Sequence, residues 1–299
     1  MKKVLITGSN GLLGQKLTDI YSKKDLIFYP TARGECRHPL KDSLNYHSLD
    51  ITNEKEVMDL ISELKPDCII NTAAMTNVDE CESKQEECTD LNVNAVDYLV
   101  AAANAVNAHF IHLSTDFIFD GKDGPYKEED EPNPLSFYGH SKLEGEEIIK
   151  AKCKKWSIAR TVLVYGLVHD MSRSNIVLWA KGALEKKQDI NVVDDQYRSP
   201  TLAEDLANGV YLIENSQNEG IFNISGKDFM NIYELVERVA RHFNLSMDNV
   251  TKIKSDTLNQ AAKRPPVTGF NLEKSRNVLG YVPHSFEEGI KKVMEQLSV

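Results

Sequence analysis

At 299 residues, 41% hydrophobic and 27% charged, the chain is long enough for one large or two interlocked domains around a substantial interior, and its composition excludes a disordered or fibrous protein. A formal net charge of −10 repels phosphate backbones and anionic lipid, which argues against non-specific nucleic-acid or membrane binding; cations for an anionic ligand must be gathered locally. The five cysteines, Cys36, Cys68, Cys81, Cys88 and Cys153, are odd in number and form no C-x-x-C pair, so neither a disulfide framework nor a zinc ribbon is indicated and a reduced, cytoplasmic setting is expected.

In chain order, the basic Lys2-Lys3 is followed by an apolar run too short for a signal-peptide core or a membrane span. A strand is predicted over Lys3–Ile6, running straight into Gly8-Ser9-Asn10-Gly11-Leu12-Leu13-Gly14 and a helix over Leu12–Tyr21. Further strands are predicted over Leu26–Pro30, Cys68–Asn71, Phe110–Leu113 and Ser157–Arg160, and helices over Val57–Leu64, Leu91–Val106 and Tyr138–Lys152. This alternation of short apolar runs with amphipathic stretches is that of a Rossmann-type α/β fold, a doubly wound parallel sheet, here assigned to residues 1–165.

From about Tyr165 the texture changes. Helical stretches at Asn175–Lys187, Thr201–Glu214, Ile232–Phe243 and Ser285–Leu297 are separated by irregular segments, of which 194–200 and 263–266 are the clearest. Residues 166–299 are read as a smaller mixed α/β lobe laid over the carboxyl ends of the strands, some segments returning to the first domain.

Two motifs carry chemistry. The glycine run lets the backbone turn sharply and approach a pyrophosphate without a Cβ in the way, with a helix N-terminus facing the charge. Gly8, Asn10, Gly11, Leu12, Leu13 and Gly14 are therefore candidate dinucleotide ligands. At the end of the second strand, Thr31-Ala32-Arg33-Gly34-Glu35 is followed by Arg37 and His38. Arg33 favours the 2′-phosphate of NADPH, and Glu35 keeps NADH open.

The second motif is Tyr138-Gly139-His140-Ser141-Lys142. Residues four apart share a helical face, so phenol and ammonium point the same way. A tyrosine of pKa near 10 needs roughly 4 kcal/mol of electrostatic help to move about three units toward neutrality, and a neighbouring Lys⁺ supplies part of it. Ser114-Thr115-Asp116, at the end of a strand facing the same crevice, offers a hydroxyl to hold a carbonyl against the tyrosine. His109 and His112 alternate on that strand and read as packing residues, and Asp194-Asp195 shows no metal-ligand spacing, so no metal is assigned.

With these motifs in place, the chain resembles the dTDP-4-dehydrorhamnose reductase family of extended short-chain dehydrogenases/reductases over nearly its whole length. The resemblance extends to Asp50-Ile51, the run from Asn71 to Asp79, Leu91-Asn92-Val93-Asn94, the run from Ser114 to Gly121, Arg160-Thr161, Val164-Tyr165-Gly166, Asp195-Gln196-Tyr197, Pro200-Thr201 and Arg264-Pro265. It implies that Asp50, Ile51, Ala73, Ala74, Met75 and Asn92 lie beside the cofactor, with Tyr138 and Lys142. Thr115, Tyr138 and Lys142 would be catalytic: Thr115 orients a ketone, Tyr138 protonates its oxygen, and Lys142 holds the nicotinamide ribose. Thr115, Asp116, Tyr138, Arg198 and Arg264 would meet a nucleotide-sugar substrate, with Lys263 a further candidate for its diphosphate. A homodimer is implied as well.

Two departures qualify the resemblance. Leu163 stands where the family pattern has tryptophan, which puts the exact sugar in doubt; Asp116 is followed by Phe117 and not by the glutamate that related sugar-nucleotide dehydratases use, which argues against dehydration. The expected activity is NAD(P)H-dependent reduction of the 4-keto group of a nucleotide-linked 6-deoxysugar. The competing readings are a non-catalytic NADP-binding regulatory subunit of the same fold and a sugar-nucleotide epimerase, which would retain NAD⁺ without net consumption.

Overall fold

The computed structural model describes residues 1–169 and 175–297. Its centre is a seven-stranded sheet in which β1 (Lys3–Thr7), β2 (Ile27–Ala32), β3 (His47–Ser48), β4 (Cys68–Asn71), β5 (His109–Thr115) and β6 (Trp156–Thr161) are joined by a late strand, Gly220–Asn223. The spatial order is Gly220–Asn223, β6, β5, β4, β1, β2, β3, with every pairing parallel. Parallel strands covered on both faces are largely apolar, which is why the runs in β1 and β4 are nearly unbroken, whereas β5 also buries His109, His112, Ser114 and Thr115. Strand alternation divides them: Val4, Ile6, Ile70, Ile111 and Ala159 enter one core, and Leu5, Ile69, Phe110 and Ile158 the other.

Helices α1 (Leu12–Tyr21), α2 (Glu54–Leu64), α3 (Val78–Ser83), α4 (Gln85–Thr89), α5 (Ala95–Val106) and α6 (Phe137–Lys152) belong to this half. Local chemistry sets their ends. Asn53 caps α2 by accepting from the Glu56 N–H, and Ser136 caps α6 by accepting from the Gly139 N–H. Strand order reverses between β1 and β4, and the crevice opens at their carboxyl ends, where doubly wound sheets bind ligands.

The later residues form short paired strands: Val164–Tyr165 with Thr201–Leu202, Ile190–Val193 with Val250–Ile253, and Tyr197–Arg198 between Met230–Asn231 and Val267–Thr268. They share a core with Val177, Leu235, Val239, Phe286 and Ile290. The helix Ala203–Ser216 packs on α1, and its Leu206, Val210 and Ile213 enter the core that holds Val4, as does Phe222 of the late strand.

The helix predicted from Thr201 starts at Ala203, because Thr201 and Leu202 pair with Val164 and Tyr165 and the Thr201 hydroxyl donates to the Val162 carbonyl at 2.6 Å. The helix predicted over Leu91–Val106 opens with a π-helical turn, Asp90–Asn94, ahead of α5. Among the described residues no helix is long and apolar enough to cross a membrane.

Candidate active site

A cleft of about 650 Å³ lies across the carboxyl ends of β1, β4 and β5. At one end is the glycine turn. Gly8 has φ +67°, and a Cβ there would come within 2.8 Å of the Ala73 nitrogen and the Thr72 hydroxyl; a Cβ at Gly14 would overlap the Gly8 carbonyl. The chain thus keeps bare backbone at the mouth of α1, a cradle that fits a dinucleotide pyrophosphate. Gly11, Leu12 and Leu13 line the cleft with them. Asn10 also lines it, and its amide grips the loop after β2, donating to the Glu35 carbonyl at 2.8 Å and accepting from the Arg37 N–H at 2.9 Å.

That grip brings Arg33 and Arg37 to the same end, beside Asp50 and Ile51. The Arg33 guanidinium is 69% exposed and 3.9 Å from Asp50, so it can turn to a phosphate at little cost. Ala73 and Ala74 form the wall beneath. Met75 and Asn92 do not line the cleft: the Asn92 side chain is buried, accepting from the Met75 N–H at 2.9 Å, donating to its carbonyl at 3.0 Å and donating to Ser141 at 3.0 Å. The π-helical turn points this amide inward, where it holds the loop that presents Ala73 and Ala74.

At the other end stand Thr115, Tyr138 and Lys142. Thr115 ends β5, and Ser136 starts α6 so that Tyr138 falls in its first turn. A Cβ at Gly139 would overlap the Phe117 carbonyl, so glycine allows the helix to press against the turn after β5. The Tyr138 ring packs edge-on to Phe117, centroids 5.7 Å apart, and its phenol faces the Thr115 hydroxyl. Burial pushes that phenol above its ordinary value, with the Asp116 charge adding to the rise. Burial lowers Lys142 to about 8, with Glu146 and Cys88 opposing. Its ammonium donates to the Leu113 carbonyl at 2.6 Å and lies 3.0 Å from His112 Nε2.

Glu146 continues the stripe one turn further. It accepts from Arg160 Nε at 2.9 Å and Nη2 at 2.7 Å, both side chains sealed from solvent. Burial alone would raise this carboxyl, but the Arg160 hydrogen bonds and charge hold it below its ordinary value.

Asp116 is also buried and lines the cleft, accepting from Thr115 at 3.0 Å and from the Thr268 hydroxyl. Burial raises its carboxyl, with Arg198, Thr268 and Thr115 opposing. Arg198 and Arg264 do not line the cleft. The Arg198 guanidinium is buried, donating to the carbonyls of Tyr197 at 2.7 Å, Pro265 at 2.8 Å and Pro266 at 3.2 Å, with Nε 3.8 Å from Asp116. Arg264 pairs with Asp79 through contacts of 2.6 and 3.1 Å.

Thr72, Thr76 and Val78, within the run from Asn71 to Asp79 that carries the resemblance, also line the cleft, as do Leu206 and Asn175, which no motif in the sequence marks. The buried Thr161 hydroxyl at the cleft has no hydrogen-bond partner among the described residues. Leu163, also lining, has φ +38°, a conformation leucine rarely adopts and one that no sequence signal announces. Away from the cleft, Asp19, His38 and His169 bring ligand-type atoms within 4.8 Å of one another. The Leu40 N–H donates to His38 Nδ1 at 3.2 Å, so Nε2 carries the hydrogen that Asp19 accepts at 3.1 Å and offers a metal no lone pair.

The family model for the RmlD substrate binding domain matches residues 1–299. Among curated relatives, a dTDP-4-dehydrorhamnose reductase of Aggregatibacter actinomycetemcomitans is 31% identical, covering 98% of each chain. The methionine adenosyltransferase 2 subunit beta of Danio rerio is 29% identical over 88% of this chain and 81% of its own. Among solved structures, a dTDP-4-dehydrorhamnose reductase from Bacillus anthracis in complex with NADP superimposes with a TM-score of 0.84 at 27% identity, covering 99% of this chain and 100% of that one.

Proposed function

Because the chain belongs to the dTDP-4-dehydrorhamnose reductase family, we propose that it is an NAD(P)H-dependent oxidoreductase that reduces the 4-keto group of a nucleotide-linked 6-deoxysugar, dTDP-4-dehydro-L-rhamnose to dTDP-L-rhamnose, with NADPH as its reductant. The observation that carries this is the cleft itself. A bare-backbone cradle with two arginines at one end is joined to a hydroxyl, a phenol and an ammonium at the other. The NADP held by the B. anthracis relative supports the cofactor.

When bound, the reduced nicotinamide supplies a hydride to the carbonyl carbon. Everything else belongs to the chain. Gly8, Asn10, Gly11, Leu12, Leu13 and Gly14 receive the pyrophosphate, Arg33 the 2′-phosphate, and Asp50, Ile51, Ala73 and Ala74 the adenosine side, while Met75 and Asn92 brace that wall. Thr115, whose one hydroxyl hydrogen turns from Asp116 to the substrate, holds the ketone oxygen while Thr268 still donates to Asp116, and Tyr138 releases its proton to that oxygen as the alkoxide forms. The Lys142 ammonium holds the ribose and stabilises the phenolate left behind, which is reprotonated from solvent. Burial raises the phenol, the reverse of the lowering expected from a neighbouring Lys⁺, so its proton is released only as charge develops on the substrate, with the Lys142 ammonium offsetting the burial.

Asp116 sits where it can accept from a sugar hydroxyl. Arg198 acts through it, because moving that guanidinium to a phosphate would strip three buried carbonyls of their donor. Arg264, which can exchange Asp79 for a phosphate oxygen, and Lys263 are the cations for the substrate diphosphate.

The test is to mix purified protein, NADPH and the 4-keto sugar nucleotide generated in place by its upstream epimerase, and follow loss of the reduced-nicotinamide absorbance. Consumption stoichiometric with ketone is expected. The relation to methionine adenosyltransferase 2 subunit beta supports the second reading, a non-catalytic regulatory subunit. Bound NADPH that no keto-sugar oxidises would favour it and refute the first.

A further inference from the structure

Four buried polar groups run in line from the centre of the sheet to the candidate ribose-binding lysine: Thr7 on β1, Asn71 on β4, His112 on β5 and Lys142 on α6. Thr7 Oγ1 lies 2.6 Å from Asn71 Oδ1, Asn71 Nδ2 lies 3.1 Å from His112 Nδ1, and His112 Nε2 lies 3.0 Å from Lys142 Nζ. The four side chains are 0 to 2% exposed. His112 does not line the cleft, and the proposed reaction does not use it.

A buried ammonium beside a ring nitrogen demands a lone pair there, and a buried amine demands a hydrogen. Imidazole can supply either, provided that its other nitrogen finds the complementary partner. Asn71 is such a partner, since turning its amide end for end exchanges acceptor for donor. With Lys142 charged, Nε2 accepts, the ring hydrogen sits on Nδ1, and Asn71 turns its oxygen to it and its nitrogen to the Thr7 hydroxyl. With Lys142 neutral, Nε2 donates, Nδ1 accepts from Asn71 Nδ2, and Asn71 Oδ1 accepts from Thr7. One proton leaves the pair for solvent between the two states, and the ring holds one hydrogen in both. In both states each side-chain nitrogen and oxygen of the four keeps a partner within the row; with Lys142 charged, the Thr7 hydroxyl accepts from Asn71 and no longer donates to it.

We propose that His112 is the positioning residue of Lys142: by exchanging tautomers it fixes the ammonium at the cleft and lets the lysine change charge inside the protein. The inference rests on the role of Lys142 given above. The other groups that face the pair are Glu146 on α6 and Cys88 on α4, with the Leu113 carbonyl a fixed acceptor. Burial, and then the Lys142 charge, hold the imidazole far below its ordinary value, so the ring stays neutral and takes no proton from the lysine. Glu146 and Cys88 favour the ammonium, but neither replaces the hydrogen bond from His112.

Two arms test this. In full-length protein labelled with ¹⁵N-histidine, titrated from about pH 6 to about pH 10, the His112 resonances, assigned by loss in His112→Gln, should pass from the Nδ1–H to the Nε2–H tautomer as Lys142 deprotonates and stay fixed in Lys142→Met. In the kinetic arm, His112→Phe removes the acceptor, and the alkaline limb of kcat/KM should move down by about one pH unit. His112→Gln, whose amide can also accept or donate, should restore the limb. A ring that keeps one tautomer throughout, a His112→Phe limb superimposed on the parent's, or a glutamine variant shifted as far as the phenylalanine variant would each overturn the proposal. If His112→Phe does not fold, the titration of the parent protein decides. That titration needs no substrate. Tautomer exchange in a protein that never oxidises NADPH upholds the pair and removes the reductase reading, and a fixed ring in an active enzyme does the reverse.

Discussion

Glu146→Gln is the perturbation that most directly tests how the site is supported. The carboxylate is 0% and the Arg160 side chain 1% exposed, joined by hydrogen bonds of 2.9 and 2.7 Å. Arg160 is otherwise held by the Glu128 carbonyl at 3.0 Å and the Phe119 ring at 5.4 Å, neither of which neutralises it. The glutamine leaves a buried cation uncompensated and turns an amide N–H₂ toward a guanidinium. The expected loss is about 3–5 kcal/mol, a large share of the roughly 5–15 kcal/mol typical of a folded protein. Urea unfolding followed by circular dichroism measures it. Replacing both partners, Glu146→Leu with Arg160→Met, should recover most of the loss, because the paired charges themselves cost desolvation.

The pH dependence fixes the sign. Glu146 lies below its ordinary value of 4.5 in the folded chain, so the unfolded chain binds the proton first as pH falls. The pair's contribution is therefore fully present above about 4.5 and disappears as pH drops through the folded value, where parent and Glu146→Gln should converge. A single-variant loss under about 1 kcal/mol, or a double variant weaker than the single, would refute the reasoning.

Tyr138→Phe keeps the packing on Phe117 and removes the proton; kcat should fall by about 10²- to 10⁴-fold with NADPH binding intact by fluorescence titration, and near-normal turnover would remove the tyrosine from its role. Arg33→Ala should raise KM for NADPH by roughly tenfold and leave KM for NADH unchanged, so that an equal effect on both would sink the assignment. With Lys142 at about 8, kcat/KM of the parent should hold below that pH and fall above it as the ammonium is lost. Because this value lies below the ordinary 10.5, the same group should make folding more favourable as pH rises from about 8 to 10.5. A limb near 10.5 would contradict the burial of the lysine.

Much of this fold follows from short-range pattern. Apolar runs bounded by glycine and asparagine specify β1 and β4, because a strand buried on both faces has little polar surface to disguise it. The Tyr138/Lys142 pair is local, a matter of helical period, and so is Gly14, barred from a Cβ by the Gly8 carbonyl, whereas Gly8 itself is pressed against Thr72 and Ala73 from the end of β4. Local pattern misled at Thr201 and at Asp90–Asn94, where a hydroxyl or an amide finds a better partner across the fold than along the helix.

What residue identity by itself determined, then, is the chemistry within one turn of a helix or one strand: bare backbone for a pyrophosphate, and a phenol and an ammonium on a single face. The tertiary structure alone decided that Gly220–Asn223 closes the sheet, that Arg198 donates inward to carbonyls, and that His112 meets Lys142 from 30 positions away. The physical reason is the same in each case. A charge or an imidazole takes its role from the lone pairs and hydrogens packed around it, and those come from strands and helices whose adjacency no local stretch of sequence encodes.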